Sequence, residues 1–338
     1  MKAIVINGGF GLENLQFVDR PEPTPGPNQV LLRMKAASLN FRDLLTVQGM
    51  YNPKQLLPLV PCSDGVGEVV GLGEGVSRLQ EGDRVCPIFA QGWLAGVPRQ
   101  DQLRSTLGGP LDGTLSELMV VNAESVVKVP AYLTDEEAAA LPCAAVTAWS
   151  ALVTHGETKA GDTVLVQGTG GVALFALQIA RLHGARVIVT SSSDKKLGRA
   201  EALGALDGIN YVSVPQWGKA VRKLTGDVGV DHVVELGGAA TLEQSLRAVR
   251  VGGRISIIGV LSGVQTTIPL TAILMSAVRL QGILVGHRDS FEALCRAMIL
   301  AELRPVIDST FALADVRAAL DHMAAGAHVG KICIRIAD

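Results

Sequence analysis

Cysteine is scarce in this chain and its spacing pairs nothing. The five, Cys62, Cys86, Cys143, Cys295 and Cys333, are odd in number, far apart and without a C-x-x-C pair. That pattern argues against a disulfide framework and for reduced thiols that serve mostly as small core residues. The histidines, at 155, 183, 232, 287, 322 and 328, occur singly, with no i, i+4 partner to set two imidazoles on one helix face. Ligand roles are disfavoured for all six. No run of basic residues occurs and the net charge is −2, so neither nucleic acid nor an anionic membrane surface is favoured as a partner. No apolar run reaches the roughly 18 residues needed to span a bilayer. The opening MKAIVINGGF reads as a strand too soon interrupted by glycine to be a secretory signal, so a cytoplasmic protein is expected. Internal repeats and low-complexity tracts are lacking too, which removes solenoid readings.

What is present suits a compact α/β enzyme. The 338 residues are 48% apolar and 18% charged, enough chain for two domains with substantial cores. The stretch around which the rest is organised is TVLVQGTGGVALFALQIARLH, Thr163 to His183. A short β-branched run gives way to glycines and then to a long apolar-periodic segment without proline, which reads as strand, tight turn, helix. Gly168-x-Gly170-x-x-Ala173 has the spacing of a dinucleotide fingerprint. Gly168 permits the turn, Gly170 lets backbone approach a pyrophosphate, and Ala173 lets the helix pack close to the strand. The pyrophosphate is then expected on the unpaired N–H groups at the positive end of the helix, around Thr169, Gly170, Gly171 and Val172. ARVIVT, Ala185 to Thr190, supplies the second strand of a βαβ unit.

Before residue 123 the texture is of short β segments between Pro- and Gly-rich turns: Ala3 to Ile6, Gln29 to Ala37, Gly65 to Gly71, Arg84 to Ile88 and Leu115 to Val121. Residues 123–286 alternate strands (Val230 to Glu235, Arg254 to Val260, Arg279 to Val285) with helices (Asp194 to Leu203, Ala240 to Val249, Thr271 to Ala277). This alternation predicts a doubly wound parallel sheet. Residues 287–338 predict two helices, Ser290 to Ala301 and Leu313 to Ala325, with Asp289 and Thr310 as capping candidates, and a closing strand from Lys331 to Ile336.

Several blocks, in order, carry a resemblance: PCSDGVGEVV from Pro61, GDRV from Gly82, GDTVLV from Gly161 with its glycine turn, and Gly252-Gly253 before a strand. Over nearly its whole length the chain resembles the medium-chain dehydrogenase/reductase superfamily. The resemblance implies an α/β fold with a GroES-like β-rich catalytic domain, made from residues 1–122 and completed by 287–338, and a Rossmann domain over 123–286. Metal-dependent alcohol dehydrogenases of that superfamily hold zinc with two Cys and a His, and a Glu follows the His. The matching positions here carry Asn40, Ser63, Asp64 and Cys143, and the lobe from Gln91 to Thr114 has no cysteine for a structural zinc. Amide and hydroxyl groups are poor substitutes for thiolate and imidazole at zinc.

LNFRDLL from Leu39 and QGMY from Gln48 look instead like the corresponding segments of zinc-independent quinone oxidoreductases and enoyl reductases. That chemistry adds hydride to the β-carbon of an activated alkene, stabilises an enolate and protonates its α-carbon. Tyr51 is the candidate proton donor or relay, and Asn40 is expected to orient a substrate carbonyl or the cofactor ribose. Asp43 is expected to hold the loop, and Cys143 reads as a small buried residue. Thr147 falls where the family sets a residue against the nicotinamide, and Gly259 joins the expected cofactor-binding set. Where an NAD enzyme carries an acid after the second strand, this chain has Thr190-Ser191-Ser192-Ser193, followed by Lys195 and Lys196, so charge favours NADP(H). Asp194 is expected to cap the next helix. By resemblance, Lys196 and Tyr211 fall where NADPH-specific quinone reductases grip the adenosine phosphate. The reading is thus a zinc-independent, NADPH-dependent reductase of a quinone or an α,β-unsaturated carbonyl compound, with a homodimer paired through the last Rossmann strand. Two alternatives stay open: an alcohol dehydrogenase acting on an alcohol, aldehyde or ketone, and a non-enzymatic NADPH-binding protein like the crystallins of this branch.

Overall fold

The computed structural model describes residues 1–337. Two compact units form, one from residues 1–146 with the segment from Gly286 onward, the other from Thr147–Val285. The texture change read at residue 123 precedes the division because the chain adds one more strand to the first unit before leaving it: Val126–Lys128 pairs with Arg84–Pro87.

In chain order the first unit carries β1 (Lys2–Ile6), β2 (Leu15–Asp19), β3 (Gln29–Leu39), β4 (Asp64–Leu72), β5 (Arg84–Pro87), β6 (Leu118–Asn122) and β7 (Val126–Lys128). The second carries β8 (Thr163–Gln167), β9 (Arg186–Ser191), β10 (Asp207–Asn210), β11 (Val230–Glu235), β12 (Val249–Ile257) and β13 (Arg279–Gly282). The chain then returns to the first unit with β14 (Ile307–Ala312) and β15 (Lys331–Arg335).

The first unit is built on β3. Val30, Leu32 and Met34 alternate into one core, with Val69, Val85 and Val121, as a half-buried strand should. Beyond Lys35 both faces are covered, and Ala37 and Leu39 join a second core with β1 and the helix Val316–Ala324. β3 pairs antiparallel with β4, β6 and β15, so the two ends of the chain meet in one sheet. The last pairing sets Ile332 opposite Leu39 and thereby brings Lys331 to the residue that opens the helix Phe41–Val47.

The second unit is an all-parallel sheet in the order β10-β9-β8-β11-β12-β13. This is the doubly wound order with β8 as its first strand, and it reverses beside β8, where ligands of such sheets bind. The helix Gly171–Leu182 buries Ala173, Leu174, Phe175, Ala176, Leu177, Ile179 and Ala180. Each fully buried large apolar side chain there contributes about 1.5–3 kcal/mol. The helix ends at His183, and Gly184 takes φ +76°, the left-handed turn that a glycine after a helix supplies at least cost.

Several boundaries differ from the sequence reading, for local reasons. β2, β7, β10 and β14 are additional strands; three lie at sheet edges and β2 pairs only with β1, so none needs a fully apolar pattern. Leu313 to Ala325 resolves into a short 3-10 turn, Leu313–Asp315, and the helix Val316–Ala324. The helix Arg288–Ala301 is capped by His287, whose Nδ1 accepts the Ser290 N–H at 3.1 Å, and not by Asp289.

Candidate active site

Asn40, Ser63, Asp64 and Cys143 do come together in the first unit. Asn40 follows the long strand β3 and caps the helix Phe41–Val47, with its backbone N–H donated to the Asp43 carboxylate at 2.8 Å. That bond gives Asp43 the loop-holding part expected of it. The Asn40 amide nitrogen donates to Ser63 Oγ at 3.2 Å. Asp64 Oδ2 accepts the Cys143 N–H at 3.2 Å. Ser63 and Asp64 leave a strained corner, since Cys62 adopts φ +76° without being glycine. Gly113 makes that corner possible, because a Cβ there would stand 2.0 Å from the Cys62 carbonyl oxygen.

The residue that sequence reasoning missed is Lys331. Its side chain is only 3% exposed, and its Nζ donates to the Leu39 carbonyl at 2.7 Å and to Asn40 Oδ1 at 2.5 Å. It also lies 3.8 Å from Asp64 Oδ2. Nothing local marks it, since a lysine opening a closing strand reads as a solvated end; only the β15–β3 register delivers it. Burial pushes the Asp64 carboxyl up to about 6 despite the Lys331 ammonium and the Asn40 amide nearby, and burial likewise raises Asp43. Burial holds the Cys143 thiol well above its ordinary range, so its sulfur keeps its proton.

These groups are a poor zinc site. The Asn40 amide and the Ser63 hydroxyl are bonded to each other, and an ammonium already satisfies Asn40 Oδ1. Among the described residues no cluster of three or more His, Cys, Asp or Glu side chains could hold a metal ion.

Tyr51 follows the same helix and is 46% exposed. Its ring lies over the Arg42 guanidinium, 4.7 Å from centroid to Cζ, with the Phe89 ring 4.9 Å from the same carbon. Arg42 is itself buried and fixed by the Leu107 and Gly109 carbonyls at 2.7 and 3.1 Å, so a rigid cation carries the tyrosine.

The second unit presents the features of a dinucleotide site. Gly168 takes φ +79°, and its N–H donates to the Thr190 carbonyl, which closes the turn after β8. A Cβ added to Gly168 or to Gly170 would meet nothing within 4 Å, so the space before the helix Gly171–Leu182 is open to a ligand. The first N–H groups of that helix have no partner within it and face the same end. Thr169 is buried, Val172 half-buried, and Thr147 buried in the short helix Val146–Trp149. Gly259 is required by packing, since a Cβ there would stand 2.1 Å from the Leu236 carbonyl oxygen.

At the ends of β9 and β10, the Tyr211 N–H donates to the Ser191 carbonyl at 3.0 Å, and Ser192 and Lys196 lie at the start of the adjoining helix Asp194–Ala202. Ser193, not Asp194, holds the N-cap position, and the Asp194 carboxylate accepts the Asn210 amide at 2.8 Å. A second feature missed in the sequence is Glu235, fully buried at the end of β11. Its carboxylate accepts from Gln167 Nε2, Thr241 Oγ1, Ser245 Oγ and the N–H groups of Gly237 and Gly238.

Comparison with known proteins identifies the family. Residues 26–131 match the alcohol dehydrogenase GroES-like domain, and residues 171–299 match the zinc-binding dehydrogenase family. The chain is 42% identical to the zinc-type alcohol dehydrogenase-like protein C1773.06c of Schizosaccharomyces pombe, over 92% of this chain and 91% of that one. It is 30% identical to the acryloyl-coenzyme A reductase of Metallosphaera sedula, over 99% of each. Among solved structures, an NAD-dependent alcohol dehydrogenase superposes with a TM-score of 0.92 at 34% identity over the whole of both chains. A mycobacterial protein complexed with NADPH superposes with a TM-score of 0.83 at 28% identity, over 99% of this chain and all of that one. The fold, the open glycine turn and these likenesses together make the chain a member of the medium-chain dehydrogenase/reductase superfamily, an NAD(P)H-dependent oxidoreductase with a GroES-like and a Rossmann domain.

Proposed function

We propose that this protein is a zinc-independent reductase that uses NADPH to reduce a quinone or an α,β-unsaturated carbonyl compound. The observation that carries the reading is the bonding of Asn40 to Ser63 and Lys331, where metal-dependent relatives are expected to hold zinc. A nicotinamide nucleotide bound at the glycine turn supplies the hydride. The remaining work falls to side chains of the chain itself. As hydride reaches a conjugated acceptor, negative charge gathers on the carbonyl oxygen, and orienting that carbonyl or the cofactor ribose falls to Asn40. Tyr51, seated on Arg42, holds a phenolic proton for the carbon that must accept one.

Preference for the phosphorylated nucleotide follows from charge. β9 ends in Ser191 with no carboxylate to repel a 2′-phosphate, the nearby Asp194 is bonded to Asn210, and Ser192, Lys196 and Tyr211 supply donors. Steady-state assays with quinones, enones and alcohols, with metal content measured on the same sample, test the reading. NADPH-dependent reduction of a quinone or enone, indifferent to a chelator, is expected, with Lys196→Ala raising KM for NADPH about tenfold and leaving that for NADH unchanged. Stoichiometric zinc, with alcohol oxidation abolished by the chelator, overturns it.

A further inference from the structure

The crevice of a doubly wound sheet opens between the two strands at which its order reverses, here β8 and β11. Val166 stands opposite Val234 in that pair, so the next residues, Gln167 and Glu235, end the two strands side by side. Both are buried. Glu235 Oε2 accepts Gln167 Nε2 at 2.7 Å and the Ser245 hydroxyl. Its Oε1 accepts Thr241 Oγ1 at 2.5 Å and the N–H groups of Gly237 and Gly238, each at 2.9 Å. Gln167 Oε1 takes the N–H groups of Leu236 and Gly237 at 3.0 and 3.1 Å. Every donor to Glu235 is neutral, and no ion pair of the described residues includes it. The carboxylate is therefore solvated by dipoles and not cancelled by a cation, and its net charge acts beyond its hydrogen-bond partners in a poorly polarisable interior.

A dinucleotide lies across the carboxyl ends of such a sheet with one nucleotide on each half. The glycine turn after β8 takes the pyrophosphate in the reading above and the ends of β9 and β10 the adenosine, which leaves the half that β11 opens for the nicotinamide. That ring is cationic when oxidised and neutral when reduced, so a fixed negative charge at the end of β11 tells the two apart. We propose that the buried Glu235 carboxylate sets the redox preference of the nucleotide site, favouring the cationic oxidised nicotinamide over the neutral reduced one. This role rests on the reading of the protein as an NADPH-dependent reductase and deepens it. Hydride departure carries one proton and two electrons to the acceptor and leaves one positive charge on the ring, and Glu235 stabilises that charge as it forms.

The ratio of two dissociation constants isolates the charge from the fold, because damage to the site weakens both forms of the nucleotide alike. NADPH binding is followed by nucleotide fluorescence and NADP+ binding by calorimetry. In Glu235→Gln the ratio of Kd for NADP+ to Kd for NADPH is expected to rise about fivefold or more over the wild type. Ser245→Ala removes a donor from the same carboxylate but no charge, and is expected to leave the ratio within about twofold. Where Glu235→Gln is too unstable to bind either form, the double variant Gln167→Met with Glu235→Met replaces the charge and its partner by apolar side chains, and the same rise is expected. A ratio within twofold of the wild type once the charge is gone, or an equal rise in Ser245→Ala, overturns the proposal. A chain that binds only NAD+ and NADH overturns the preference for the phosphorylated nucleotide, and the ratio for that pair then decides the role of Glu235. Oxidation of alcohols only, with the ratio moved as expected, overturns the reductase reading and leaves the Glu235 inference standing.

Discussion

Two buried polar side chains of the second unit sit where substitution separates their physics. Glu235 has no contact with water and instead accepts five donors, among them Gln167 Nε2 at 2.7 Å and the N–H groups of Gly237 and Gly238, each at 2.9 Å. Glu235→Gln swaps an acceptor for an NH2 group that faces other donors, and bonds to a charged group contribute about 1.5–3 kcal/mol each. The variant is expected to lose about 3 kcal/mol, read as a lower urea midpoint at unchanged slope. A loss below about 1 kcal/mol means the loop after β11 relaxes around the change. His232 is the opposite case, a buried imidazole bonded only through Nε2 to Ser256 Oγ at 2.8 Å, with burial and Arg254 pushing it down to about 3. Between pH 6.5 and 3 the unfolded chain binds the proton that the native imidazole refuses, so stability is full above pH 6.5 and falls as the solution is acidified. From pH 7 to pH 5 the loss from this group is about 2 kcal/mol, and His232→Gln is expected to remove that increment from the unfolding profile. Equal slopes for wild type and variant across that range contradict the account.

At the scale of elements, the turn between β8 and its helix contains two glycines with different duties. Gly168 sits at φ +79° and is there for the bend. Gly170 has φ −78° and ψ −173°, which any residue adopts, and a Cβ on it would meet no protein atom within 4 Å. A glycine without conformational or packing need is one kept clear for a ligand. Gly170→Ala is therefore expected to leave the melting temperature of the free protein unchanged and to weaken NADPH binding by about tenfold or more, measured by nucleotide fluorescence. Gly168→Ala is expected to cost about 1 kcal/mol or more in stability by itself. Intact affinity in Gly170→Ala removes the pyrophosphate from this turn. The motif was legible because strand, turn and helix follow one another within about 30 residues, where spacing alone carries the information. The parallel order of the sheet followed from strand and helix alternation for the same reason. Lys331 and Glu235 were not legible. The first acts through a register between the two ends of the chain, and the second gains its meaning from Gln167, 68 residues earlier in sequence. β14, with residues half-buried or exposed throughout, has too weak an alternation to register as a strand.

At the scale of the whole molecule, one edge of the parallel sheet is unfinished. β13 pairs only with β12, so the N–H and C=O groups on its far side lack a strand among the described residues. Beside it the helix Leu270–Leu274 and the following residue expose Leu270, Leu274 and Met275, each by more than three quarters of its surface. An open edge next to uncovered apolar side chains is a template for association, and natural proteins usually cover or charge such edges. A second copy of this chain is the proposed cover. Two β13 strands placed antiparallel about a two-fold axis join two six-stranded sheets and bury these side chains from both copies. Because the interface is self-complementary, each substitution is felt twice. Burying one such side chain contributes about 1.5–3 kcal/mol, so Leu274→Asp with Met275→Asp is expected to weaken the dimer by at least about a hundredfold. Both positions are already exposed in the single chain, so the melting temperature of the dissociated form is expected to stay where it was. Sedimentation equilibrium across a range of concentrations decides the matter: a wild type that is monomeric throughout, or a doubly substituted chain that dimerises as well as the wild type, removes β13 from the interface.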